Sequence, residues 1–164
     1  MPERTLILLR HGKSDWSRGE ADLLRPLARR GRRQAREAGR WLAARIERVD
    51  LAVVSPAERA RSTWTLASAE LVAAPPPRFD EDVYAASGSE LLGLVREFSD
   101  DMNTAVLVGH NPGLEDLVAT LTGRRVPMPT SGLAVMAVRG SWSTVGHSST
   151  KLRASGRPPT DESP

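Results

Sequence analysis

The chain has 164 residues, 40% hydrophobic and 26% charged, with four Trp, two Phe, one Tyr and no Cys. Length and balance fit one globular domain, and the lack of Cys excludes disulfides, thiolate metal sites and a cysteine nucleophile. Residues 1–61 hold fifteen Arg and Lys against eight Asp and Glu, and the remainder eight against twelve, so the net +3 hides a cationic first part suited to anionic partners.

Residues 5–9 (TLILL) form a continuous apolar run, the pattern of a strand buried on both faces, and lead into Arg10-His11-Gly12. Over residues 32–49, apolar Ala35, Ala38, Trp41, Leu42, Ile46 and Val49 recur at helical spacing. The opposite face carries Arg29, Arg33, Arg36 and Arg40, read as a solvated stripe. No stacking aromatics or binding module accompany it, so nucleic acid is not the expected partner. A second strand (51–54) ends at Ser55-Pro56, and a second helix (58–72) follows with Ala60, Thr63, Trp64, Ala67 and Leu71 inward. Residues 73–78 are a surface connection, and a third helix fits 89–98. A third strand (105–108) ends at Gly109-His110-Asn111-Pro112, a fourth helix spans 113–121, and a fourth strand (133–138) lies between Gly132 and Gly140. This alternation predicts an α/β fold, a three-layer α/β/α sandwich with a mostly parallel central sheet, as a single domain over residues 1–147. Residues 148–164 turn polar and rich in Ser, Pro and Gly, and read as a disordered tail with His147 on the surface beside it. No apolar run approaches the ~20 residues of a membrane span. The start carries no signal-peptide pattern, so a cytoplasmic location is expected.

Ligands of open parallel sheets bind beyond the carboxyl ends of strands. Arg10 and His11, Ser55 and His110 arrive at that edge, with Arg59 one turn beyond Ser55. Two imidazoles and two guanidinium groups there make a phosphate site with a candidate nucleophile. Arg offers phosphate a planar fork of donors, helix N-termini add partial positive charge, and neutral imidazole attacks phosphorus. Ser14 is a candidate donor to a phosphate oxygen, with capping after the Gly12 turn as its alternative. Asn111 is a secondary candidate for substrate contact, with turn initiation before Pro112 as its alternative. Trp16 is read as covering the core rather than lining a pocket entrance. Arg61, about 200° around the helix from Arg59, is read as a surface ion-pair partner.

Four motifs and a final strand carry a family resemblance. Arg10-His11-Gly12 after a buried strand resembles the R-H-G signature of the histidine phosphatase superfamily, the phosphoglycerate mutase-like enzymes. Leu27-Ala-Arg-Arg-Gly31-Arg-Arg-Gln34-Ala35 is similar to its L-T-x-x-G-x-x-Q-A segment, and Ser55-Pro56-Ala57-Glu58-Arg59-Ala60-Arg61-Ser62-Thr63 to S-P-x-x-R-A-x-x-T. Val108-Gly109-His110-Asn111-Pro112 resembles the second-histidine motif as found in the short SixA-type phosphohistidine phosphatases, and residues 129–135 resemble that branch's final strand.

The resemblance implies that His11 is phosphorylated as the nucleophile. Arg10, Arg59 and His110 would then hold the phosphoryl oxygens, and water would release the phosphate without a metal or cofactor. It also implies a proton donor after the second helix, for which Glu81 is chosen over Asp80 and Asp82 by its E-x-x-Y spacing to Tyr84. Enzymes of the SixA type exist without this acid, and a labile P–N bond permits that. The expected activity is a metal-independent phosphatase acting on a phosphohistidine-bearing protein. The alternatives are a small-molecule phosphomonoesterase and a non-catalytic phosphate- or nucleic-acid-binding module.

Overall fold

The computed structural model describes residues 2–162. In chain order it comprises β1 (Glu3–Arg10), α1 (Arg29–Arg45), β2 (Leu51–Val54), α2 (Glu58–Ser68), β3 (Arg78–Phe79), α3 (Gly88–Val95), β4 (Thr104–Gly109), α4 (Gly113–Thr122), β5 (Leu133–Arg139), β6 (Thr150–Gly156) and β7 (Pro159–Asp161). The strands form one seven-stranded sheet in the order β3-β2-β4-β1-β5-β6-β7.

The apolar runs become central strands because both their faces are covered. Leu6 and Leu8 of β1 pack into the cluster beneath α3 and α4 with Leu91, Val95, Leu114 and Leu117. Ile7 and Leu9 pack on the other face with Ala38, Leu42 and Trp64 of α1 and α2. Helices therefore sandwich the sheet in three layers. A period-two strand with two buried faces cannot show the apolar–polar alternation of a half-exposed one.

The sheet is mixed, not purely parallel. β3, β2, β4 and β1 pair in parallel, whereas β5, β6 and β7 are joined antiparallel to β1 and to one another. Chain length accounts for the β6–β7 pairing: two residues separate these strands, and parallel neighbours need a crossover of a dozen or more. These strands also replace much of the expected disordered tail. Leu152 and Ala154 of β6 are buried against β5, and Arg124 pairs with Glu162 at 2.8 Å. Ser163 and Pro164, at the end of that expected tail, lie outside the described residues.

Helix boundaries shift for local reasons. α1 starts at Arg29 and stops at Arg45, where Ile46 takes an extended conformation (φ −112°), so Val49 is buried from the connection and not from the helix. α2 ends at Ser68, and Val72 is fully exposed. α3 begins at Gly88 behind a capping box: the Ser87 hydroxyl accepts from the Glu90 backbone N–H, and the Glu90 carboxylate accepts from that of Ser87. No described helix is long and apolar enough to cross a membrane.

Candidate active site

Strand register brings the polar residues to one edge. Arg10 pairs with Gly109 and Val54 with Val108, so β1, β2 and β4 end together. The next backbone N–H groups continue the ladder: His11 donates to Gly109 at 3.1 Å and Ser55 to Val108 at 3.0 Å. The loop after β1 is clamped where it turns. Gly12 N–H donates to Thr63 Oγ1 at 2.9 Å, and Ser131 N–H donates to the carbonyls of Arg10 and His11, both at 3.1 Å. A side chain at Gly31 would meet the Lys13 carbonyl at 2.1 Å, so α1 approaches this loop only because residue 31 has none.

Arg10, His11, Arg59 and His110 line a single cleft of about 370 Å³. The two imidazole rings are 5.1 Å apart between centroids, and one guanidinium nitrogen of Arg59 lies 3.5 Å from His110 Nδ1. His11 Nδ1 lies 2.7 Å from the Gly12 carbonyl, to which only an N–H can donate, so Nε2 keeps the lone pair. Burial pushes the His11 pKa down to about 3, with His110, Arg59 and Arg10 adding to the effect, so the ring is neutral at physiological pH. His110 falls to about 4, again chiefly by burial and then by Arg59, and its Nε2 lies 2.7 Å from Ser55 Oγ. The site thus combines an uncharged, fixed imidazole with guanidinium groups able to bind an oxyanion.

The remaining sequence candidates divide. Ser14 is buried at the cleft and its hydroxyl bonds the Arg25 guanidinium. Asn111 lines the cleft with its amide donating to the Met128 carbonyl at 2.9 Å, the same carbonyl that Arg10 bonds at 3.1 Å. Glu81 does not join them. It is exposed and is not among the cleft-lining residues, because Asp80 caps a short 3-10 turn (Glu81–Val83) and the chain reaches the cleft only at Tyr84 and Ala85. Trp16 does not cover the core: it is 70% exposed and lines the cleft. Arg61 stacks on the Phe79 ring at 4.5 Å, without a carboxylate within salt-bridge distance among the described residues.

Asp22, Arg25 and Tyr84 were not singled out by the sequence reasoning, yet they organise the cleft mouth. Asp22 accepts from Tyr84 Oη at 2.5 Å, Arg59 at 3.0 Å and Arg25 at 3.1 Å, and its backbone carbonyl accepts from Arg59 at 2.7 Å. The Tyr84 hydroxyl above all, and then the two guanidinium groups, hold its carboxyl well below the usual carboxylate range. The same bond raises the Tyr84 pKa, so the phenol stays protonated. The available signals were Arg25-Pro26 directly before the Leu27–Ala35 segment, and the E-x-x-Y spacing, whose Tyr and not its Glu reaches the site. Among the described residues no group of three or more His, Cys, Asp or Glu is arranged to hold a metal ion.

The chain belongs to the histidine phosphatase superfamily (branch 1), whose family model matches residues 6–105. Within that class several of its structural neighbours are of the SixA kind. The structure assigned as phosphohistidine phosphatase SixA from Nakamurella multipartitia superimposes with a TM-score of 0.85 at 25% identity, covering 95% of this chain and 96% of that one. Its counterpart from Agrobacterium tumefaciens, assigned likewise, gives 0.80 at 27% identity over 95% and 98%. An uncharacterized protein of Mycobacterium tuberculosis is 37% identical over 148 residues, 84% of this chain and 91% of its own.

Proposed function

We propose that the protein is a phosphohistidine phosphatase in which His11 accepts the phosphoryl group. The observation that carries the substrate class is the lack of an available carboxylic acid in the cleft lining. Among the described residues Asp22 is the one carboxylate there, and it is held ionised by Tyr84 and two guanidinium groups. An alkoxide leaving group needs a proton as it departs, and a residue must supply it. An imidazole leaving group is the same chemical species as the attacking His11. Bond made and bond broken are then alike, and transfer needs no strong acid.

In the first step His11 Nε2 forms a P–N bond as the substrate's P–N bond breaks. With the substrate ring protonated on its other nitrogen, the electron pair stays on the departing nitrogen and the ring leaves as neutral imidazole, while His11 keeps its Nδ1 proton as it takes up the phosphoryl group. Water then attacks phosphorus, His11 recovers its lone pair, and inorganic phosphate leaves. Arg10 and Arg59 hold the phosphoryl oxygens in both steps, and His110 joins them as a neutral ring carrying its proton on Nδ1, the nitrogen nearest Arg59, while the Ser55 hydroxyl donates to Nε2. Phosphoryl transfer depends mainly on such positioning and charge stabilisation, and the guanidinium groups supply the charge that a metal ion would otherwise bring.

The test compares phosphate release, in the presence and absence of EDTA, from a protein carrying phosphohistidine and from a panel of small phosphate esters. Preferential, EDTA-insensitive release from phosphohistidine is expected; rapid turnover of esters alone overturns the assignment. Because Glu81 is exposed outside the cleft, Glu81→Gln is expected to leave turnover of both classes within about twofold of wild type, the scale of ~0.5 kcal/mol surface substitutions. A selective loss on esters would instead bring Glu81 into the reaction.

A further inference from the structure

We infer that Trp16 is a specificity-determining residue, its indole stacking on the imidazole ring of the phosphohistidine substrate while the phosphoryl group sits between Arg10, His11, Arg59 and His110. The inference rests on the phosphohistidine reading above and adds the group that recognises the leaving ring.

Trp16 lines the same cleft as the phosphoryl-binding residues and is 70% exposed, whereas Trp64 and Trp142 are buried in the core. Leaving an indole in water forgoes a large burial gain, so its place at the cleft calls for a partner. The ring stands on a built support. The Asp15 carboxylate accepts from Ser17 N at 2.8 Å and Ser17 Oγ at 2.6 Å, closing a turn around residue 16. Asp15 N–H donates to the Pro26 carbonyl at 2.8 Å, and Ser14 bridges to Leu27, so both ends of the loop are tied. The Arg25 guanidinium carbon lies 3.5 Å from the indole centroid, and Arg25 is itself buried and held by Ser14 and by Asp22 at 3.1 Å. One face of the indole is therefore fixed by a stacked cation whose partner Asp22 also holds Arg59. Trp16 and Arg25 both line the cleft.

The substrate chemistry matches this wall. In phosphohistidine the planar ring is bonded directly to phosphorus, so seating the phosphoryl group brings the ring to the cleft mouth with it. Serine-like esters and the simple P–N compound phosphoramidate present no ring there. Stacking of planar rings discriminates by geometry and is sensitive to loss of the aromatic face.

The experiment measures kcat and KM of wild type, Trp16→Ala, Trp16→Phe and Trp16→Leu on N-phosphoimidazole and on phosphoramidate. Both contain the P–N bond, and only the first contains the ring. Trp16→Ala is expected to lower kcat/KM on N-phosphoimidazole about tenfold, mainly through KM, and to stay within about twofold on phosphoramidate. Trp16→Phe should retain most of the preference and Trp16→Leu, apolar without a π face, should lose it. Equal losses on both compounds, no loss on either, or full retention by Trp16→Leu each overturn the stacking role. A wild-type enzyme that turns over neither compound fails earlier, overturning the phosphohistidine reading and this inference with it.

Discussion

His11→Ala is expected to lower phosphatase turnover by roughly 10⁴- to 10⁶-fold, the scale seen when a covalent nucleophile is removed from an otherwise intact site. The case is geometric. Nδ1 is committed to the Gly12 carbonyl at 2.7 Å, which orients the ring and leaves Nε2 as the free lone pair beside Arg59 and His110. Burial keeps that lone pair unprotonated until the pH nears about 3, so His11 as the proposed nucleophile needs no separate base at neutral pH. The measurement pairs steady-state rates with rapid acid-free quenching and detection of acid-labile phosphate on the protein. Wild type should accumulate label and His11→Ala should not. The variant should still bind tungstate or phosphate, because Arg10 and Arg59 draw their support from Met128 and Asp22 and not from the His11 ring. Label that persists in His11→Ala would transfer the nucleophile's role to another residue, with His110 the nearest imidazole at 5.1 Å.

The parts of the molecule that could be read from sequence are those where burial leaves a continuous signal. β1, β2, β4 and β5 are covered on both faces, so each shows as an apolar run, and the polar residue that ends the run marks the sheet edge. His11, Ser55 and His110 come together because three parallel strands end in register there, a consequence of fold class alone. β6 and β7 escaped for the opposite reason. In TKLRASG only Leu152 and Ala154 are buried, and the exposed Lys151 and Arg153 are typical of strands near a sheet edge. β7 opens on Pro159, which an edge strand tolerates at its first residue. Composition cannot tell such a hairpin from a disordered tail, since both are rich in Ser, Pro and charge.

The cleft mouth was hidden differently. Asp22 reaches Arg59 across thirty-seven residues of sequence, and Tyr84 reaches Asp22 across sixty-two. No periodicity links positions on separate loops, so only the folded chain reveals the network. Glu81 shows the cost of a register error at this range. The E-x-x-Y spacing identified a segment that does approach the cleft, but a 3-10 turn capped by Asp80 presents its Tyr and leaves its Glu exposed. On the proposed reading, that three-residue difference separates an enzyme that protonates alkoxides from one that acts on phosphohistidine.

Arg59→Ala is expected to lower kcat/KM by about 10²- to 10³-fold, as loss of a preorganised oxyanion donor does. Arg59→Lys should recover little of it. The guanidinium places one nitrogen on the Asp22 carbonyl at 2.7 Å and the other on Asp22 Oδ2 at 3.0 Å and near His110 Nδ1 at 3.5 Å, and a single ammonium cannot span that arrangement. The effect should fall on activity rather than folding, because Asp22 keeps Arg25 and Tyr84 when Arg59 is gone. Thermal unfolding of Arg59→Ala is the control. Asp22→Asn then separates placement from charge: it keeps the backbone carbonyl contact but weakens the side-chain one, so it should cost less than Arg59→Ala. If Asp22 acts through Arg59, the double variant is no worse than Arg59→Ala alone, since the second change removes support from a group already absent. Losses that multiply in the double variant would mean that Asp22 serves the reaction by another route, with Arg25 and the Trp16 wall it supports as the first place to look.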